Sequence, residues 1–348
     1  MNDPRYDFRS DNTGGVAAEL LTALVEAAHG TAAPYGDDAW TARMVERCSD
    51  VFERKVKAFP VSSGTGANAV ALSVLANGFG SIYCHESSHI EIHEAGAPEF
   101  YTGAKLVLLK GHDYKIMASG LDSALQNAGI GETSRVLPFA VSVTQPTDYG
   151  TVYTLEELSA IAAVARRYGL RLHMDGARFA NALAALGCSP ADMTWRSGVD
   201  ILSLGATKNG AINAEAVITF DDTLATELPY RMKRGGLVLS KARFVSAQIE
   251  RYLADDLWLE RARHVNEMAR RLAASLRRIP GVVIDVPVHI NMVFATLPEA
   301  VILDLERRGY LFYRVGLEIR LVCRPDQSPE HLDELVASVA AAVRSAGR

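Results

Sequence analysis

The sequence predicts an α/β protein built on a mostly parallel sheet. Three observations lead there. Between residues 56 and 220, short apolar runs alternate with amphipathic, helix-length segments. The runs are rich in β-branched residues and read as buried strands, as strands covered on both faces do. After about residue 240 the texture changes to long helices followed by short strands, which predicts a smaller α+β unit. The expected division is 1–245 for a large α/β domain with an N-terminal arm and 246–348 for a small C-terminal domain.

The elements follow in order. VKAFPV (56–61) reads as a strand and GANAVALSVLAN (66–77) as a helix. SIYC (81–84), KLVLL (105–109) and VLPFAVSV (136–143) read as further strands. Thr154-Leu155-Glu156-Glu157 is a capping box that opens a helix with Leu155, Leu158, Ala162 and Ala165 on one face. LRLHMD, a small helix, DILSL and AEAVITF complete the first unit. In the second, helices are expected over 240–257 and 260–277, then VVIDV and NMVFAT as strands, a helix near 298–308, and strands LFYRV and EIRLVC. Ser328-Pro329 is an N-cap and N1 pair that starts a last helix.

Composition narrows the class. The 348 residues are 49% hydrophobic and 22% charged with a net charge of -5, ordinary for a soluble globular chain and without the basic stripe of a nucleic-acid binder. The four cysteines, Cys48, Cys84, Cys188 and Cys323, are scattered and form no C-x-x-C. That argues for a reducing compartment and no disulfide framework. The polar start MNDPRYDFRSDN has no apolar signal region, and no run approaches a membrane span, so a cytoplasmic protein is expected.

Several segments carry chemistry. His85-Glu86-Ser87-Ser88-His89 matches H-E-x-x-H, the zinc-hydrolase pattern, which needs a helix and a third ligand. SSGTGAN (62–68) lies between a strand and a helix and could cradle a phosphate on backbone amides, or simply make a tight turn. Asp175 in LHMDGARF falls at the end of a strand, where open α/β sheets present ligand groups, although a lone Asp there is often a helix cap. Lys208 in SLGATKNG follows another strand in a small-residue loop, an unusual place for a solvated lysine. An anion cradle, a strand-end carboxylate and a loop lysine together fit pyridoxal phosphate (PLP). That cofactor needs a phosphate site, an acid partner for its pyridine nitrogen and a lysine for a Schiff base.

With these segments in view, the chain resembles the low-specificity L-threonine aldolases of the β-eliminating lyase group. The matching pieces are DFRSDN, PYGDD, SSGTGAN, ESSHIEIHEAG, LHMDGARF, SLGATKNG and EIRLV, in family order over nearly the whole chain. The resemblance implies a fold type I PLP enzyme with a seven-stranded type of sheet. The reaction it implies is cleavage of L-threonine, L-allo-threonine and related β-hydroxy-α-amino acids to glycine and an aldehyde. It makes Lys208 the Schiff-base lysine and Asp175 the partner of the pyridine nitrogen. Gly64 and Thr65 would bind phosphate, with Thr207 beside them. Ser10, Arg178 and Arg320 would hold the substrate carboxylate, Arg320 being otherwise an ordinary strand charge. Ala177 would lie against one ring face and His89 against the other. His89, directly or through water, is also the candidate base for the β-hydroxyl, a purely stacking role being the other reading. Tyr35, with Asp37 and Asp38, lines the substrate channel or only shapes a turn. Sites shared between subunits imply a dimer at least, and the family suggests a tetramer.

Three departures stand out. No histidine occurs between His112 and His173, where some members carry a second active-site histidine. Leu239 stands where relatives place a phosphate-binding arginine, so that Lys241 or Arg243 would have to substitute. The loop TQPTDYG (144–150) replaces a Glu-Asn segment. His85 and His93 read as polar loop or surface residues, and Asp7, Arg9 and Asp11 as pins of the N-terminal arm. The alternatives are another PLP reaction (β-elimination, or a preference for β-phenylserine-like substrates), a zinc hydrolase, and an inactive PLP-binding protein.

Overall fold

The computed structural model describes residues 6–346. The terminal residues 1–5 and 347–348 lie outside it, and with them the beginning of the polar N-terminal segment. A seven-stranded sheet runs through the first two thirds of the chain: β1 (Lys57–Val61), β2 (Gly80–His85), β3 (Lys105–Leu109), β4 (Leu137–Thr144), β5 (Arg171–Gly176), β6 (Ile201–Gly205) and β7 (Glu215–Thr219). Their spatial order is β1-β7-β6-β5-β4-β2-β3. The four pairings from β6 across to β3 are parallel, and β7 pairs antiparallel with both β6 and β1. Every residue of β2, β6 and β7 is buried. Helices cover both faces of the sheet, so these strands can be apolar throughout instead of alternating.

Two helices absent from the sequence expectations, Ala18–Ala28 and Ala39–Val51, pack on Arg243–Tyr252. Asp38 caps the second by accepting from the Thr41 amide at 2.9 Å, so this carboxylate ends a turn and does not line the cleft. The capping box at Thr154 and Glu157 forms as the sequence predicts.

Three strands, β8 (Met292–Thr296), β9 (Tyr313–Val315) and β10 (Glu318–Val322), form an antiparallel sheet of order β8-β10-β9. The long helix Leu257–Leu276 joins the two units. Its Leu257, Trp258 and Ala262 sit in the main core, while Val265 and the residues after it sit in the C-terminal core. Two expectations change here. The helix predicted over 240–257 is shorter, Arg243–Tyr252, because the chain turns through left-handed conformations at Asp255 and Asp256 before the next helix. VVIDV is not a strand. It makes a single bridge, Val283 to Thr296, on the edge of β8 that β10 leaves free.

The N-terminal arm belongs to the C-terminal unit. Phe8 is fully buried in that core, its amide donates to the Leu311 carbonyl at 2.8 Å, and its own carbonyl accepts from Val322 at 2.9 Å. This anchor fixes the segment that carries Ser10 and Asp11. Phe8→Ala leaves a cavity at the anchor, and the loss of a buried Phe side chain costs roughly 3–5 kcal/mol. Urea unfolding is expected to show a lower midpoint with an unchanged slope.

Candidate active site

The functional side chains gather at the carboxyl ends of the parallel strands, where an open α/β sheet leaves its crevice. After β1 come Ser62 to Thr65; after β2, His89; after β4, Asp148; at the end of β5, Asp175; after β6, Lys208. Apart from the buried Asp175, they line a cleft with two lobes that share Asn12, His89 and Lys208.

The first lobe, of about 460 Å³, is lined by Ser62, Ser63, Gly64, Thr65, Ala177, Thr207 and Glu215 among others. The helix Gly64–Ser73 opens onto it. Ser63 caps this helix by accepting from the Gly66 amide at 3.1 Å, which leaves the first-turn amides of Gly64 and Thr65 without an intrahelical acceptor. A helix start of this kind, at a glycine whose Cβ position meets nothing within 4 Å, suits a phosphate. Thr207 turns partly inward: its hydroxyl accepts from the Ala214 amide at 3.0 Å.

The second lobe, of about 670 Å³, is lined by Ser10, His93, Asp148, Tyr149, Arg178, Phe294, Tyr313 and Arg320 among others. Arg178 is committed on one side to Asp11, with Nε donating to the carboxylate at 2.6 Å. Arg320 donates from Nη2 to the Arg9 carbonyl at 3.0 Å, and its buried Nε has no partner among the described residues. Burial, reinforced by the Arg178 charge, lowers the Arg320 guanidinium pKa. A buried guanidinium with an unused donor is suited to an incoming carboxylate.

Lys208 stands where the lobes meet. Burial pulls its amine below the usual lysine range, and the Arg178 charge adds to this, against the pull of Asp175, Asp11 and Asp148. Such an amine is neutral, and so nucleophilic, over more of the pH range than a surface lysine. Asp175 is 2% exposed and held from both oxygens: Oδ1 accepts from the Ala177 amide at 3.1 Å and Oδ2 from Asn68 Nδ2 at 3.1 Å.

Asn68 and Glu94 were not legible as site residues in the sequence. Asn68 Nδ2 also donates to Glu94 Oε1 at 2.8 Å, and the same oxygen pairs with His89 Nδ1 at 2.8 Å. The carboxylate therefore fixes the His89 tautomer with the proton on Nδ1 and turns Nε2 toward the cleft as the basic nitrogen. The Glu94 hydrogen bond raises the His89 pKa, outweighing the opposing effect of burial. Asp148, also unforeseen, lies at the cleft wall with its carboxyl pushed up by burial. The only signal for it was the departure of TQPTDYG from the family pattern.

Other expected residues fall elsewhere. Tyr35 is 56% exposed, sits beneath the Lys233 ammonium at 5.0 Å and lines neither lobe. The turn at Pro34–Asp37 carries it onto the outer surface of its own chain. Arg243 packs over Phe244 and reaches toward the Gly30 carbonyl, so it does not take over a phosphate role within one chain. The H-E-x-x-H match is broken by the fold. His85 is the last residue of β2 and holds Ser87 through Nδ1, while His89 begins the separate helix His89–Ile92. Among the described residues no group of histidine, cysteine and acidic side chains is placed to hold a metal ion.

The donor set fits pyridoxal phosphate on its own terms. It offers free helix-start amides for a phosphate, a pinned carboxylate for a ring nitrogen, small Ala177 and an imidazole to flank a ring, and a lysine of lowered pKa. The fold and the cleft together are those of an α/β enzyme of fold type I. The chain belongs to the β-eliminating lyase family, whose family model matches residues 7–299. It is 41% identical to the low specificity L-threonine aldolase of Pseudomonas aeruginosa over 97% of this chain and 98% of that one, and 39% identical to that of a Pseudomonas species over 98% and 99%. Among solved structures, a Leishmania major threonine aldolase superposes with a TM-score of 0.92 at 28% identity, covering 97% of this chain and 99% of that one.

The Glu94 contact has a direct consequence. In Glu94→Gln the neutral amide no longer stabilises the imidazolium. The His89 pKa is expected to fall, read by NMR titration of the imidazole protons, while an unmoved titration would show that Glu94 does not set it.

Proposed function

We propose that the chain is a PLP-dependent aldolase that cleaves L-threonine, L-allo-threonine and related β-hydroxy-α-amino acids to glycine and an aldehyde. The observation that carries this reading is Lys208, an amine of lowered pKa at the junction of an anion lobe and an arginine-lined lobe, with Asp175 pinned nearby.

When bound, pyridoxal phosphate supplies an electron sink for the bond between Cα and Cβ. This chain supplies the rest. The amides of Gly64 and Thr65, with Thr207, hold the phosphate, and Asp175 holds the proton of the ring nitrogen. Ala177 and His89 flank the ring, and Lys208 is the attachment point. Arg320, with Ser10 and the free side of Arg178, would clamp the substrate carboxylate and so fix the orientation of Cα. His89 Nε2, directly or through a water, takes the β-hydroxyl proton. Glu94 stabilises the imidazolium that results, as the third member of such a relay does.

A second preference is favoured by one observation. Tyr149 and Phe294 stack at 5.0 Å in the wall of the substrate lobe, a surface suited to an aryl group. β-Phenylserine is therefore expected as a substrate beside threonine.

The phosphate lobe is rimmed by Val16 and Ile212, both apolar and exposed at 39% and 43%. We propose that a second copy covers this rim, in a dimer at least and a tetramer by family resemblance, and that Tyr35 serves a neighbouring site there. Sedimentation at assay concentration is expected to give an oligomer, and a monomer of full activity would remove Tyr35 from that role.

The activity test is the product assay. L-Threonine, L-allo-threonine and β-phenylserine should each give glycine and the matching aldehyde, in a PLP-dependent manner. Lys208→Ala should lower the rate by at least about a thousandfold, as loss of a covalent catalyst does. Formation of 2-oxobutyrate and ammonia from threonine would replace aldol cleavage with elimination.

A further inference from the structure

Glu215 is the first residue of β7, the one strand that runs against the others in the large sheet. That reversal brings it to the crevice edge. Its backbone pairs with Val61 on one side and Gly205 on the other, one residue before Ser62 and one before Ala206. A glutamate thus stands in the wall of the lobe whose other walls are the Gly64–Thr65 helix start and Thr207. The residue is 6% exposed, accepts from the Ala206 amide at 3.2 Å and from the Thr207 hydroxyl, and makes no salt bridge among the described residues. The charged and titratable groups that act on it are Lys208, Asp175 and Tyr252.

A buried carboxylate and a bound phosphate in one lobe repel strongly at low effective dielectric. One of the two charges must be removed or compensated. Lys208 is a weak counter-charge, because burial holds its amine below the usual lysine range. We propose that Glu215 binds a proton when the phosphate lobe fills, so that its carboxyl group becomes a hydrogen-bond donor to the bound phosphate and cofactor capture takes up one proton. The proton comes from solvent and remains on Glu215 while the phosphate stays bound.

The direction of the linkage follows. Burial already lifts the Glu215 carboxyl to about 7 in the free protein. A bound phosphate lifts it further. The added affinity is therefore fully present below pH 7 and is lost as pH rises through 7 toward the higher bound value. Between pH 7 and pH 9 a single linked proton weakens binding by up to about fiftyfold.

This inference rests on the PLP reading, so the experiment separates the two. The probe is pyridoxamine 5'-phosphate, which carries the same ring and phosphate and forms no bond to Lys208. Its dissociation constant is measured from pH 6.5 to 9.5 on the wild-type protein and on Glu215→Gln, which keeps the shape and cannot ionise. Wild-type affinity should fall steeply above pH 7, while the variant stays within about threefold of its value at pH 7. Calorimetry at pH 8, in two buffers of different ionisation enthalpy, should show the wild-type protein taking up close to one proton more than Glu215→Gln, and more than Glu215→Ala as a second variant. Parallel profiles for the two proteins, or equal proton uptake by wild type and variants, overturn the role of Glu215. A protein that binds neither this probe nor pyridoxal phosphate overturns the function on which the role rests.

Discussion

A single amide group holds the site together. Asn68 Nδ2 donates to two buried carboxylates at once, Asp175 and Glu94, which would otherwise repel across a space with little water. Through Asp175 the amide fixes the end of β5, and through Glu94 it fixes the imidazole of His89. The two groups placed to flank and ground a ring thus derive their geometry from one residue on the helix Gly64–Ser73, whose first turn also faces the phosphate lobe. Anion lobe, acid and imidazole are thus tied into one hydrogen-bonded unit.

The substrate side is organised by the chain termini. Asp11 holds Arg178 at 2.6 Å and accepts a short hydrogen bond from Asn291, which also donates to the Cys323 carbonyl at 3.0 Å. Arg324, buried just after β10, donates to the Asp7 carbonyl and to Asp326. Ser10, Arg178 and Arg320 therefore come from three distant stretches of sequence that meet only when the N-terminal arm is tied to the C-terminal sheet. This dependence explains why the second lobe needs both units of the fold, whereas the first lobe takes only the arm residues Asp11 to Val16 from outside the large sheet and its loops.

What the sequence revealed follows the same division. Strands were readable because buried parallel strands are continuous apolar runs, and SIYC falls inside β2, every residue of which is buried. SSGTGAN, Asp175 and Lys208 could be singled out as candidates because phosphate, ring-nitrogen and amine chemistry call for particular residue types beside strand ends. Asn68 as a side-chain donor, Glu94, Asp148 and Glu215 could not. Each is an ordinary polar residue whose meaning comes from burial and from a neighbour far away in sequence, as with Asn68 and Asp175. VVIDV misled for the converse reason, since β-branched composition cannot say whether a segment pairs along a strand edge or meets it at one bridge. H-E-x-x-H misled because a pattern carries no secondary structure: the strand ends at its first histidine and a different element begins at its second.

The central claim is that Lys208 is the attachment point within this network. The most direct measurement is borohydride reduction of the protein loaded with pyridoxal phosphate, followed by digestion and mass mapping of the modified peptide. The account predicts one reduced pyridoxyl adduct, on Lys208, with the visible absorbance of the complex lost on reduction. A protein that takes up no adduct, or carries it on a surface lysine while Lys208 stays unmodified, would contradict it.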